Sequence, residues 1–197
     1  YRKAHFPLIH EFLSPPATRA GFVLRVDFNP SRNQLMATAP APSNFQPHFK
    51  RIAAGEDRHA DVYCVIASLV GNGKTLDDIR KQAETLGVPK TGPYYPYIDG
   101  DLIAKLLAGY GLVATVWKES KDFKDLPDVA IAMVDYDADW EVGRCVVFHR
   151  MRSTDGKTVQ AYCVDSATGK PAANTDLTGL TPSWFIGVTQ MQKASGK

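Results

Sequence analysis

The spacing of apolar residues changes part-way along the chain, from a helical period to a strand period. Before residue 109, apolar residues recur every three or four positions in two segments, as one face of a helix requires. From Leu112 onwards, short apolar runs are separated by Gly, Asp and Ser, which is typical of strands and turns. Helices followed by consecutive strands predict an α+β fold, with the helices packed on an antiparallel sheet.

Two segments carry helix signals. Thr75 and Asp78 have the spacing of a capping box, and the apolar stripe that follows them extends to Leu86. A second helix is predicted at about 101–108, where it is followed by glycines. The apolar run 63–70 is too short for its period to distinguish a helix from a buried strand.

The remaining elements are predicted to be strands. The sequence Asp155-Gly156 between two apolar runs is a strong signal for a β-hairpin. The predicted strands are 112–117, 129–134, 145–149, 158–164 and 184–191.

The start of the chain differs from the rest in composition. Prolines at 15–16 and 40–42 prevent regular structure around them, although 22–28 has the apolar character of a strand. We interpret 1–58 as a partly irregular N-terminal extension and 59–197 as the folded domain.

Charge and hydropathy exclude several classes of function. The 197 residues include 23 basic and 21 acidic side chains, a net charge of +2 that is too balanced to predict nucleic-acid binding. No apolar run is long enough to span a membrane. No spacing of Cys and His predicts a metal site, and no cofactor is expected. The expected partner is a protein or peptide, and the oligomeric state is left open.

The three cysteines are Cys64, Cys145 and Cys163. So small and odd a number does not predict a disulfide framework, and a reducing compartment is the simpler expectation. Cys145 and Cys163 lie roughly opposite each other across the predicted hairpin, so core packing, a cross-strand disulfide and a metal pair were all open. The first residues lack both an initiator Met and a signal-peptide core, which predicts a processed product, a secreted effector or a fragment.

One order of residues suggests nucleophilic catalysis. Cys64 precedes the helices, His149 lies in the first strand of the hairpin, and Asp165 ends the second. A cysteine nucleophile needs a base within reach and a group that orients the base. Cys64, His149 and Asp165 are therefore the candidate catalytic triad. With the turn at Asp155-Gly156, His149 falls roughly opposite residue 162 or 163, and Asp165 roughly opposite residue 146 or 147.

In this order the chain resembles the papain-like cysteine peptidases, and within them the bacteriocin-processing (C39-like) peptidase domains and papain-fold bacterial effectors. The resemblance covers about two thirds of the chain. It implies a hydrolase acting on peptide or amide bonds, in which Cys64 attacks, His149 moves the proton and Asp165 orients the imidazole. Further segments that fit the layout are Gly73-Lys74-Thr75-Leu76, Gly109-Tyr110-Gly111-Leu112 and Ser183-Trp184-Phe185.

The chain departs from the family pattern at several positions. Arg58 stands where the family has the Gln of the oxyanion hole. Alignment by the end of the first helix places the nucleophile position near Asp61 or Val62 instead of Cys64. Alignment on the family's Gly-His motif places the histidine position at Arg144 or Cys145. A catalytically silent papain-like domain that acts as a binding module is therefore the alternative to a hydrolase.

Two further patterns have other readings. Ser68–Thr75 resembles a phosphate-binding P-loop, with 129–135 as its magnesium-holding partner, although the first glycine of the loop is absent. The sheet type that such a loop requires is not indicated, so a nucleotide-binding module is the less favoured alternative. The aromatic segment 94–97 is either turn packing or the wall of a substrate cleft.

Overall fold

In the computed structural model, the apolar run after Ala60 is a helix. The structure describes residues 45–57, 60–89, 99–152, 159–167 and 172–191. These residues belong to one unit, Thr38–Lys197. The predicted strand at 22–28, the aromatic segment at 94–97 and the turn at 155–156 lie outside the described residues.

Among the described residues, three α-helices precede the sheet: α1 (Asp61–Val70), α2 (Leu76–Thr85) and α3 (Gly100–Ala108). The predicted capping box is confirmed, because Thr75 Oγ1 accepts the backbone N–H of Asp78 and the Asp78 carboxylate accepts that of Thr75. Helix α1 is buried from Tyr63 to Leu69. A helix enclosed on all sides is apolar all round, which explains why its sequence carries no helical period.

The part of the chain that the structure describes then forms six strands: β1 (Leu112–Ala114), β2 (Lys118–Glu119), β3 (Val129–Asp137), β4 (Val142–Arg152), β5 (Val159–Asp165) and β6 (Pro182–Gln190). They form an antiparallel sheet in the order β1-β6-β3-β4-β5, with β2 paired to β6. The predicted α+β class is thus confirmed. The strand predicted at 112–117 is shorter in the structure, where β1 ends at Ala114, and β2 was not predicted.

The sheet separates two apolar cores. On the helix side, α1 packs against residues from four strands, among them Ile131, Val147, Tyr162 and Ile186. The opposite face carries Val146, Phe148, Cys163 and Phe185, covered by the 3-10 helix Phe123–Asp125 and by Leu177 and Leu180. Neighbouring residues of one strand therefore belong to different cores, as the alternation of side chains in a strand requires.

Residues 45–57, which we call the strap, lie within the predicted N-terminal extension and pack against the helix-side core. Phe45, Phe49 and Ile52 contact that core. The Ala54 N–H donates to the carbonyl of Ser166 at 3.0 Å. The strap thus packs on the helix-side core and is hydrogen-bonded to Ser166, the residue after β5.

Among the described residues, no helix has the length and apolar character needed to cross a membrane.

Candidate functional site

Arg144 and Asp165 are joined across β4 and β5. Arg144 Nη1 donates to Asp165 Oδ2, and Arg144 Nε and Nη2 donate to Asp135 at 3.1 and 2.5 Å. The other Asp165 oxygen accepts the N–H of Ala167 at 2.8 Å. The Asp165 side chain is only 9% exposed. Its carboxylate is therefore committed to an arginine and to its own turn.

Asp61 is the first residue of α1. Its Oδ2 accepts the backbone N–H of Cys145 at 2.8 Å, and its Oδ1 accepts the N–H of Val62 at 2.8 Å. Cys145 follows Arg144 directly in β4. The start of α1 is thus fixed to the strand that carries the arginine, and the carboxylate also lies near the positive end of the helix dipole.

Cys64 is one turn further along α1 and has no exposed surface. The pKa of its thiol is raised to about 11, chiefly by burial; Arg80 acts to lower this pKa, and Asp61 and Asp57 act to raise it. Cysteine nucleophiles have lowered pKa values, because the thiolate is the reactive form. The environment of Cys64 instead raises the pKa of its thiol. No histidine is among the charged groups that act on this pKa.

His149 lies in β4 opposite Tyr162 of β5. The Tyr162 hydroxyl accepts the backbone N–H groups of His48 and Phe49 at 2.8 and 3.2 Å. With its oxygen so engaged, the hydroxyl donates its own proton to Nδ1 of His149, 3.0 Å away. This arrangement is the one that a neutral imidazole with its proton on Nε2 would make. Burial lowers the pKa of His149, as does His48, whereas Asp128 raises it.

The register of the hairpin separates His149 from Asp165. Asp165 pairs with Val146 and His149 pairs with Tyr162, as the position of the turn predicted. Val146 belongs to the core on the face of the sheet away from the helices, and Tyr162 belongs to the helix-side core. His149 and Asp165 thus point to opposite faces of the sheet. The orienting role predicted for Asp165 does not agree with its contacts, which go to Arg144.

The described contacts do not join the three predicted triad residues. They join Arg144 to Asp165 and, separately, Asp61 at the start of α1 to the backbone of Cys145. No protein-family model matches the chain, and no curated protein matches it significantly. The papain-like relationship is therefore a proposal that rests on the geometry.

The remaining cysteines are inert in this fold. Cys145, Cys163 and Cys64 are all free and buried. Cys145 packs in the helix-side core, whereas Cys163 pairs with Phe148 on the other face. The expectation that the two lie opposite each other is wrong, because Cys163 is three residues out of register with Cys145. Burial raises the pKa of Cys163 to about 12.

The P-loop-like segment has a different setting from the one such a loop requires. Its first three residues are the end of helix α1, whereas a P-loop connects a parallel strand to a helix. The strand 129–135 that resembles the magnesium-holding element ends in Asp135, which is paired with Arg144. In the part of the chain that the structure describes, no three Cys, His, Asp or Glu side chains form a group that could hold a metal.

A cavity of about 730 Å³ lies at the other end of α1. The strap, the C-terminal part of α1, the loop 71–74 and the ends of several strands line it. His149 lines this cavity, and Cys64 is not among its lining residues. The contributions of Tyr162 and of the strap were not predicted, although the hairpin register had already placed His149 opposite residue 162 or 163.

Proposed function

We propose that the chain is a catalytically silent papain-like domain that acts by binding. In this proposal Asp61, Arg144 and Asp165 stand at the positions of the catalytic Cys, His and Asp. The coarser α+β architecture, with α1 packed on an antiparallel sheet, is compatible with it. Alignment by the end of the first helix, which places the nucleophile near Asp61 or Val62, and alignment on the Gly-His motif, which places the histidine at Arg144 or Cys145, both support it.

The ion pair between Arg144 and Asp165 carries the proposal. In a cysteine peptidase the aspartate orients an imidazole that accepts the thiol proton. Arg144 makes the corresponding contact to Asp165 here. A guanidinium has no acceptor and stays protonated in proteins. It therefore serves as a permanent cation that fixes the two strands, and it does not serve as a general base.

The state of Cys64 supports the same conclusion. The thiol is buried and its pKa is raised to about 11, so the thiolate is scarce near neutral pH. The Asp61 side chain at the start of the helix is half-buried and has no thiol to offer as a nucleophile. A hydrolase that uses Cys64, His149 and Asp165 would require a different arrangement of all three side chains.

Binding is favoured over a purely structural role by the cavity beside His149. Its volume of about 730 Å³ lies within the range of about 300–1,000 Å³ that is typical of ligand sites. The partner expected from the sequence is a protein or peptide. The cavity lies at the opposite end of α1 from Asp61, so binding here does not require the catalytic positions.

Thiol alkylation tests the proposal. The full chain would be treated with iodoacetamide between about pH 6 and 9, with and without denaturant, and each cysteine followed by mass spectrometry. We expect Cys64 to react far more slowly in the native protein than in the unfolded chain, at every pH. Cys64→Ala and His149→Ala are the matched variants.

Fast alkylation of Cys64 well below pH 8 that also slows in His149→Ala would overturn the proposal and favour the hydrolase. Slow alkylation that is unchanged in His149→Ala supports the silent domain. Cys163 serves as an internal control, because it is buried on the opposite face of the sheet and no histidine is among the groups that act on its pKa.

A further inference from the structure

The cavity beside His149 is lined by cationic groups. Lys50 of the strap and Lys74 of the loop after α1 both line it, together with His48 and His149. None of the described residues that line it is an Asp or a Glu. We propose that this cavity binds a small anionic ligand with an apolar body. The proposal rests on the binding function proposed above and names the ligand class.

The charges of the described lining residues have one sign. Neither lysine forms an ion pair with a carboxylate among the described residues, and the Lys74 ammonium lies 5.6 Å from the centre of the Tyr110 ring. The C-terminal end of α1 adds the equivalent of roughly half a negative charge. Asp78 and Asp128 interact electrostatically with Lys74 and His149 from outside the lining. The lining itself carries only positive charge, and a cleft of one sign concentrates ligands of the opposite charge.

Much of the remaining lining is apolar, although Ser68, Asn72, Thr189 and Gln190 also contribute to it. Half-buried or buried aliphatic side chains from α1 and several strands contribute to it: Ile52, Leu69, Val70, Leu112, Val129 and Val188. A simple inorganic ion would leave this surface in contact with water. A ligand that carries an apolar body along with its charge would cover this surface, and burial of apolar surface is favourable.

The wall formed by the strap is held in place before any ligand arrives. The ring centres of His48 and Phe49 lie 5.5 and 5.0 Å from that of His149. The Tyr162 hydroxyl holds the backbone N–H groups of the same two strap residues. Because these groups are already ordered, little of the binding free energy is lost in ordering them.

Two dyes of matched shape test the proposal. 1-Anilinonaphthalene-8-sulfonate carries an anionic group on an apolar ring system, and N-phenyl-1-naphthylamine has the same rings without the sulfonate. Each would be titrated into the full chain by fluorescence. We expect saturable binding of the sulfonated dye and weaker binding of the neutral one.

Charge variants locate the site. Lys50→Gln and Lys74→Gln should each weaken binding of the sulfonated dye roughly fivefold, as expected for the loss of one partly exposed cation, and leave the neutral dye unchanged. Lys118→Gln is the matched control, because Lys118 is exposed on β2 and does not line the cavity. Circular dichroism would check that each variant has the native fold, since the dye also binds partly folded states.

Equal affinity for the two dyes, or an unchanged affinity of the sulfonated dye in both Lys50→Gln and Lys74→Gln, would overturn the anionic ligand. These results do not depend on any thiol. A reactive Cys64 would therefore overturn the proposed silent domain without changing the dye result, and the two failures can be told apart.

Discussion

Arg144 and Asp165 form an ion pair between neighbouring strands in a place where only 9% of the aspartate side chain is exposed. Arg144 also holds Asp135, so one guanidinium serves two carboxylates. Buried ion pairs add little net stability compared with apolar residues, but one partner left alone is costly. The two carboxylates around Arg144 account for an arginine at this position, and Arg144 needs no catalytic role.

Replacing the arginine should therefore destabilise the fold. Arg144→Met leaves the Asp165 carboxylate buried without its cation, and we expect a loss of about 3 kcal/mol in the free energy of unfolding. Urea unfolding followed by circular dichroism measures it. Arg152→Met is the control, because that arginine is 58% exposed and its pair with Asp128 is a surface one. Its expected cost is below about 1 kcal/mol. Equal stability of the two variants would contradict the prediction.

Features that depend on neighbouring residues could be predicted from the sequence. The capping box of Thr75 and Asp78 requires only three residues of spacing, and it is present. The turn position was sufficient to place His149 opposite Tyr162 and Asp165 opposite Val146, each within one residue. Local chemistry and a short hairpin leave few alternatives, which is why these predictions hold.

Features that depend on distant parts of the chain could not be predicted. Helix α1 is enclosed by the sheet and by other helices, so its sequence has no amphipathic period. Strand β2 has two residues and both are exposed, so it carries no apolar pattern. The contact between Asp61 and the N–H of Cys145 spans more than eighty residues. The predicted triad rests on chain order. Chain order could not anticipate such contacts, because it does not specify which face of the sheet a side chain occupies.

The hydroxyl of Tyr162 should contribute to stability through the strap. Tyr162→Phe keeps the ring, which packs against Phe45 at 5.1 Å between centres, but removes the acceptor for two backbone N–H groups. We expect a loss of about 1–2 kcal/mol in the free energy of unfolding. We also expect faster hydrogen exchange at the amides of His48 and Phe49.

Tyr110→Phe is the control for this prediction, because Lys74 contacts the ring face of Tyr110 and that face is kept. Stability and hydrogen exchange should change little in that variant. Unchanged exchange at the strap amides in Tyr162→Phe would show that the hydroxyl does not hold the strap.

The neutral state of His149 predicts a pH dependence of stability. Its pKa lies below the ordinary 6.5 in the folded protein, through burial first and then through His48, with Asp128 acting against them. Between the folded and unfolded pKa values the unfolded chain binds more protons, so stability rises with pH there. The stabilisation that neutral His149 gives to the folded protein is thus full above about pH 6.5. It is lost as the pH falls toward the lower pKa that His149 has in the folded protein.

Urea unfolding of the wild type and of His149→Gln between about pH 5 and 8 checks this prediction. The wild type should lose stability relative to the variant as the pH falls through 6.5. Protonation at Nδ1 would also place a proton against the Tyr162 oxygen, which already accepts two N–H groups. Parallel pH profiles of the two proteins would mean that another group is responsible for the dependence.

If Asp61 and Arg144 occupy the catalytic positions, restoring the catalytic residue types should restore a reactive thiol. The double variant Asp61→Cys/Arg144→His places a thiol at the start of α1 and an imidazole next to Asp165. A helix N-terminus and a nearby imidazolium both lower a thiol pKa. We expect the new thiol to react with iodoacetamide at pH 7 roughly tenfold faster than an ordinary free cysteine. The buried native thiols should contribute little to this signal.

Adding Asp165→Ala should slow the reaction, because the imidazole loses its orienting carboxylate, and the single variant Asp61→Cys is the control that retains the arginine. A new thiol that reacts like free cysteine in the folded double variant, at a rate that Asp165→Ala leaves unchanged, would show that these three positions do not form a former catalytic site.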